Sequence, residues 1–225
     1  MDIETSIHKI RGTKVTSPYP VKLTPAEIRL VFSLQRHFPP GQIFPDCFFP
    51  RPKTKKQQAS ENLDLAAPRP YTSTDVVQID CIAVSQQGIF VFESKDYSGW
   101  IFGQGGQYKW TQVLCFGRDK YSLYNPVRQN ASHLAALDGL FPLHVPIFSV
   151  VVFGRETTLR VKNLPDRCLV LTQDQVVPTL SVLPSTAHLT PDDVNDLAET
   201  IQAARLTPTP AMRQNHISEV EEIAE

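Results

Sequence analysis

Short runs of apolar and β-branched residues, punctuated by glycines, fill the middle of the chain. Val76 to Val84, Ile89 to Phe92, Trp100 to Phe102 and Trp110 to Cys115 predict strands at about residues 76 to 84, 88 to 95, 100 to 103 and 107 to 115. Proline supports this placement, because it removes a ladder donor and is confined to sheet edges and turns. Ten of the 19 prolines lie between Pro18 and Pro70, and none between Tyr71 and Asn125, a window that also holds six of the ten glycines. The sheet is therefore expected in that window. Ahead of it, Thr24-Pro25-Ala26-Glu27 combines an N-cap, a first-position proline and an acid at the third position, predicting a helix to about His37 that Pro39-Pro40-Gly41 stops. Beyond it, Asn125-Pro126 opens a second helix, continued by Leu134, Leu137 and Phe141 to near Pro142. Ile147 to Phe153 and Cys168 to Thr172 have the length and content of strands, and Thr190-Pro191-Asp192-Asp193 starts a last helix that ends near Arg205. This succession predicts an α/β layout with a mixed sheet.

Length and composition leave that picture standing. A chain of 225 residues, 41% hydrophobic and 20% charged, is ordinary for one globular domain with appendages. The expected division is an N-terminal extension at 1–23, a domain at 24–205 with a basic insertion at about 51–75, and an acidic, weakly ordered tail at 206–225. No apolar run approaches a membrane span, and the Met1 end lacks a charged-then-apolar leader, so a cytoplasmic protein with no membrane partner is expected. The four cysteines show no CxxC pair and no histidine at zinc spacing; they read as small buried hydrophobes. The net charge is −1, so a nucleic-acid footprint would have to be local. Sequence alone leaves the oligomeric state open.

Chemistry gathers at the first two strands. If Ser85-Gln86-Gln87-Gly88 is a tight hairpin, Val84 faces Ile89, Ile82 faces Val91, Asp80 faces Glu93 and Gln78 faces Lys95. Opposed side chains on one sheet face lie roughly 5 Å apart, where like charges repel unless something neutralises them. The apolar flanks add a desolvation cost. A divalent cation resolves both, since oxygen ligands suit Mg²⁺, and Lys95 adds a point charge able to hold a phosphate or a water. The plainer reading makes Asp80 and Glu93 strand-end charges at the solvent edge, with Lys95 as a salt-bridge partner.

Asp80, Gly88, Glu93-Ser94-Lys95, Tyr97, Gly99, Trp110, Asn125-Pro126-Val127-Arg128-Gln129 and His133, in that order, resemble the nuclease-related domain (NERD), a family placed in the PD-(D/E)xK nuclease superfamily. The resemblance covers about residues 76 to 153. It implies a restriction-endonuclease-like core, a mixed β-sheet flanked by helices. It further implies Asp80 and Glu93 as metal-binding acids, the Ser94 carbonyl as another ligand, Lys95 as the catalytic lysine, Gln129 beside the site, and Mg²⁺ or Mn²⁺ as cofactor. The chain departs from the family pattern at its N-terminal side, where the usual Gly-rich approach to the first helix is absent.

Three groups keep two readings each. Glu27 shares a stripe with Leu30, Val31 and Leu34 and could supply the acid that the superfamily often takes from its first helix; Thr24-x-x-Glu27 is equally a capping box. Gln129 and His133 lie one turn apart, as site residues or as a polar helix face. Arg51, Lys53, Lys55 and Lys56 form either a phosphate-contacting arm or a solvated loop. The expected function is metal-dependent phosphodiester hydrolysis, with DNA favoured as the nucleic-acid partner. The alternative is a catalytically inactive nuclease-fold module that binds nucleic acid or a protein.

Overall fold

Thr24 opens the first helix through a complete capping box. Its Oγ1 accepts from the Glu27 N–H at 3.3 Å, and Glu27 Oε2 accepts from the Thr24 N–H at 2.9 Å. This helix, α1 (Pro25–Leu34), buries Ala26, Leu30, Val31 and Leu34 and ends a turn earlier than the sequence suggests, with the chain tightening over His37 and Phe38 before the prolines. The computed structural model describes residues 23–52, 71, 73–184, 187 and 189–213. Residues 1–22, Lys53, Lys55, Lys56 and most of the expected insertion lie outside the described residues, as does the tail from 214.

The next element, β1 (Ile43–Pro50), falls where the proline distribution predicted no strand. Among the described strands it lies at the sheet edge, beside β2 (Val76–Ser85), so Pro45 and Pro50 need no ladder partner on the outer side. β2 forms an antiparallel hairpin with β3 (Gly88–Lys95) in the register the turn predicts, with Val84 opposite Ile89 and Ile82 opposite Val91. The paired ladder stops at Cys81 and Phe92, one step short of Asp80 and Glu93.

After Lys95 the chain leaves this sheet. β4 (Gly99–Gln104), β5 (Lys109–Leu114) and β6 (Asp119–Tyr124) form a second meander, followed by α2 (Pro126–Ala136). β7 (Ile147–Phe153) returns parallel to β3, β8 (Thr157–Lys162) joins β4, and β9 (Cys168–Thr172) lies parallel to β7. The window expected to hold one sheet thus contributes to two, a five-stranded sheet in the order β1-β2-β3-β7-β9 and a four-stranded sheet in the order β6-β5-β4-β8. Both are mixed, so the α/β class holds.

Helices α1 and α3 (Val176–Ser181) cover one face of the larger sheet through Leu30, Leu34, Phe90, Phe92, Val150 and Leu180. The C-terminal end of α2 and α4 (Pro191–Ala204) cover the other through Ile82, Val91, Leu137, Val194 and Ile201. Burial on both faces explains why β2 and β3 read as nearly continuous apolar runs. The smaller sheet packs its inner side, Ile101, Trp110 and Leu123, on Val127, Val151 and Phe153. Gly103 permits this, because a Cβ there would run into the Trp110 indole.

The segment expected as a weak tail begins with ordered structure. Leu206 bridges to Phe48 of β1, and α5 (Pro210–Arg213) buries Met212 against Phe48 and Val76. The acidic residues that set the expectation all lie further on. Three cysteines are buried as expected, and burial pushes the Cys47 thiol up to about 12, whereas Cys115 is exposed. Among the described residues no helix is long and apolar enough to cross a membrane.

Candidate active site

The hairpin brings Asp80 and Glu93 to the point where β2 and β3 part. Both are buried, 6% and 2% exposed. With the ladder ended, the Asp80 carboxylate takes over a ladder bond: Oδ2 accepts from the Ser94 N–H at 2.7 Å. In a strand a residue's N–H and C=O point to the same neighbour, so the Ser94 carbonyl is directed toward Asp80 as well. Strict face alternation also lapses here, since Ile79 and Ile82 join one apolar cluster while Cys81 joins the other.

Glu93 and Lys95 project toward α2. Lys95 Nζ lies 2.7 Å from Glu93 Oε1 and donates to Gln129 Oε1 at 2.9 Å. Lys95 therefore meets Gln129, not Gln78 as a longer hairpin ladder would have it. Glu93 Oε2 lies 3.3 Å from His133 Nδ1 yet accepts no hydrogen bond, a buried oxygen left over. Asn130 accounts for this. Its Nδ2 donates to the Val91 carbonyl and to Ser149 Oγ, both at 2.9 Å, so its Oδ1 must face His133, 3.2 Å from Nδ1. A carbonyl oxygen only accepts, so Nδ1 carries a proton, which it shares with Asn130.

Two asparagines seat α2 so that Gln129 and His133 reach the hairpin. Asn125 caps the helix through the Val127 N–H and ties it to the β4–β5 turn through the carbonyls of Gly105 and Gln107. Asn130, fully buried, pegs the helix to β3 and β7. Its role escaped the sequence reading, since nothing local marks it as different from an exposed helix asparagine. Asn130→Ala is expected to cost about 2 kcal/mol, because the Val91 carbonyl loses its donor inside the core; chemical denaturation measures it.

Glu27 is a helix cap that also lies close enough to the acids to act on them electrostatically. One oxygen caps α1, and the half-buried side chain adds to the repulsion felt at Asp80. Burial, then the nearby Asp46 and Glu93, raises its pKa. Asp46 is a further acid that the sequence reading missed. The pairs Pro45–Cys81 and Cys47–Ile79 place it opposite Asp80, with a left-handed φ of 51°. It is neutralised from far along the chain. Arg213 grips both carboxylate oxygens at 2.7 and 3.4 Å, Gln78 Nε2 donates at 2.8 Å, and the guanidinium lies over the Phe48 ring. Arg213→Ala is expected to cost about 3 kcal/mol, the penalty of stranding a buried charge, readable as a lowered Tm.

The electrostatics follow from this crowding. Burial, then Glu93 and Glu27, pushes the Asp80 carboxyl well above its usual value. Burial works against the Lys95 charge, but Glu93 and Asp80 outweigh it and raise that ammonium. An acid and a base both shifted upward within one buried cluster make it a candidate functional site. Arg51 has a different position: its guanidinium donates to the Thr74 and Val76 carbonyls, stapling the mouth of the insertion.

A mixed α/β domain with two acids and a lysine at a parting strand pair defines a nuclease-like core. The family model for the nuclease-related domain matches residues 27–154, more than half of the chain, and the chain belongs to that family. An uncharacterized protein of Bacillus anthracis is 37% identical over 90 residues, which is 40% of this chain and 42% of that protein. This chain thus spans under half the length of that relative. No solved structure matches.

Proposed function

We propose that the chain is a metal-dependent nuclease that hydrolyses phosphodiester bonds, with DNA as the favoured substrate. The observation that carries this reading is the pair of buried like-charged carboxylates, Asp80 and Glu93, with one Glu93 oxygen lacking a hydrogen bond and Lys95 alongside. Such a donor set fits Mg²⁺ or Mn²⁺, which favour carboxylate and carbonyl oxygens. Asp80, Glu93 and the Ser94 carbonyl would hold the ion, and Glu27 has one oxygen outside its cap to add. When bound, the metal supplies Lewis-acid polarisation of a phosphoryl oxygen and a lowered pKa for its water.

The protein's own groups do the rest. Lys95 holds its proton firmly, so it acts as a fixed cation that orients phosphate or water and meets the charge developing on the phosphoryl oxygens. Gln129 fixes the position of the Lys95 ammonium, and His133 flanks Glu93. With Arg51 engaged by backbone carbonyls, Lys53, Lys55 and Lys56 would add the phosphate contacts; neutralising these three lysines should flatten the salt dependence of binding if they do.

A non-cleaving module that binds nucleic acid or a protein is the second reading, and one observation favours it. Lys95 and His133 already flank both Glu93 oxygens, and among the described residues no three His, Cys, Asp or Glu side chains stand at metal-binding spacing. Incubating the purified chain with supercoiled plasmid, with Mn²⁺ or with chelator, separates the two. Metal-dependent cutting of the plasmid, or of a single-stranded circle treated in parallel, that Asp80→Asn removes supports the nuclease; both substrates intact throughout supports the binding module.

A further inference from the structure

The outer face of the four-stranded sheet takes no part in the site above. Side chains there alternate in and out with the strand period, and the outward set is Thr158, Arg160 and Lys162 on β8, Trp100, Phe102 and Gln104 on β4, Lys109 and Thr111 on β5, and Lys120 and Ser122 on β6. Cross-strand pairing makes one row of Arg160, Phe102, Thr111 and Ser122 and another of Thr158, Trp100, Val113 and Lys120. Trp100 and Phe102 stand edge to face with ring centroids 6.4 Å apart, and they remain 44% and 41% exposed. At the other end Lys109 pairs with Tyr124, whose ring meets Tyr108 at 5.2 Å. Four cations occupy this face, no strand position on it carries a carboxylate, and among the described residues none of the four makes an ion pair.

We infer that this face binds single-stranded nucleic acid, bases stacking on Trp100 and Phe102 while Lys109, Lys120, Arg160 and Lys162 hold the phosphates. The chemistry selects the strand form. Cations alone would serve any polyanion, but exposed rings on a sheet face gain only from bases whose faces are free, which a duplex keeps stacked away. An acidic peptide would match the charge and leave the rings unused. β4 begins just after Asp96-Tyr97-Ser98, the three residues that follow Lys95, so a strand lying on this face is attached to the frame that carries the acids. The inference deepens the nuclease reading by naming the form of the substrate, and binding is measured apart from cleavage so that either can fail alone.

The test titrates the full chain, in metal-free buffer, into labelled oligothymidylate, oligouridylate and a duplex, reading anisotropy and tryptophan emission. Binding to either single strand, tighter than to the duplex, is expected, and the preferred sugar identifies DNA or RNA as the source. Emission should fall on binding and cease to respond in Trp100→Ala, because the chain's other tryptophan, Trp110, is buried at 1% exposure. Trp100→Ala and Phe102→Ala should each weaken binding about tenfold, Trp100→Phe much less. Replacing the four cations by glutamine should flatten the log-log salt slope by roughly 0.7 per cation removed. Unchanged affinity in Trp100→Ala/Phe102→Ala, with thermal unfolding confirming the fold, would overturn the inference while leaving the plasmid assay free to succeed. So would equal binding to the duplex, a dimer that dissolves in Trp100→Ala, or binding that appears only after residues 214–225 are deleted, which would give the face to that acidic segment.

Discussion

Asp80→Asn should reduce metal-dependent plasmid cleavage at least about a hundredfold and at the same time make the protein harder to unfold. The two effects share one cause. Asp80 is buried within electrostatic reach of Glu93 and Glu27, and its carboxyl is raised well above the usual range by burial first and by those charges second. A group whose folded pKa is raised binds its proton more tightly when folded. Its contribution to stability is full below the unfolded value and is lost as pH rises through the folded one. Asparagine keeps an oxygen for the Ser94 N–H and has no proton to lose, so the advantage of the variant grows as pH increases. Paired thermal melts across a pH series, with nicking assays at each pH, check both halves. Wild-type cleavage by Asp80→Asn would remove Asp80 from the site, and a melting difference that shrinks as pH rises would contradict the electrostatic account.

Lys95→Ala should also abolish cleavage, but with the opposite effect on the metal-free fold. Removing the ammonium 2.7 Å from Glu93 Oε1 leaves a buried carboxylate without its closest counter-charge, a change expected to cost about 3–5 kcal/mol. Because Lys95 opposes a cation in the same pocket, Mn²⁺ should bind the variant at least as well as wild type and raise its Tm by more. Calorimetry and melts with and without Mn²⁺ read this directly. Loss of Mn²⁺ binding together with the lysine would show that Lys95 builds the metal site instead of acting beside it.

The hairpin was legible because its information is local. Two apolar runs, a tight turn and a fixed register are enough to bring Asp80 near Glu93, and the capping box at Thr24 is equally local. β1 was hidden because proline-rich sequence accommodates a strand only at a sheet edge, and edge position is set by tertiary structure. β6 and β8 are short and half polar, their exposed sides carrying the lysines, arginine and threonines that resemble loop composition. Asp46, Asn130 and Arg213 could not be found at all from spacing. Each matters only because of a partner brought in by tertiary structure, Asp46 and Arg213 being 167 positions apart.

That separation bears on the order of assembly. The hairpin holding Asp80, Glu93 and Lys95 needs only a two-residue turn to close, so it can form as soon as those residues are available, whereas strand β1 and its Asp46 wait for a guanidinium far downstream. On a ribosome the wait is literal, because the counter-charge is synthesised 167 positions later. Until it arrives, β1 is an edge strand with a buried-to-be carboxylate and an open ladder, the kind of segment that pairs with the wrong neighbour. Stalled or truncated chains lacking Arg213 should accordingly collect in aggregates, even though they contain every residue of the hairpin that carries Asp80, Glu93 and Lys95.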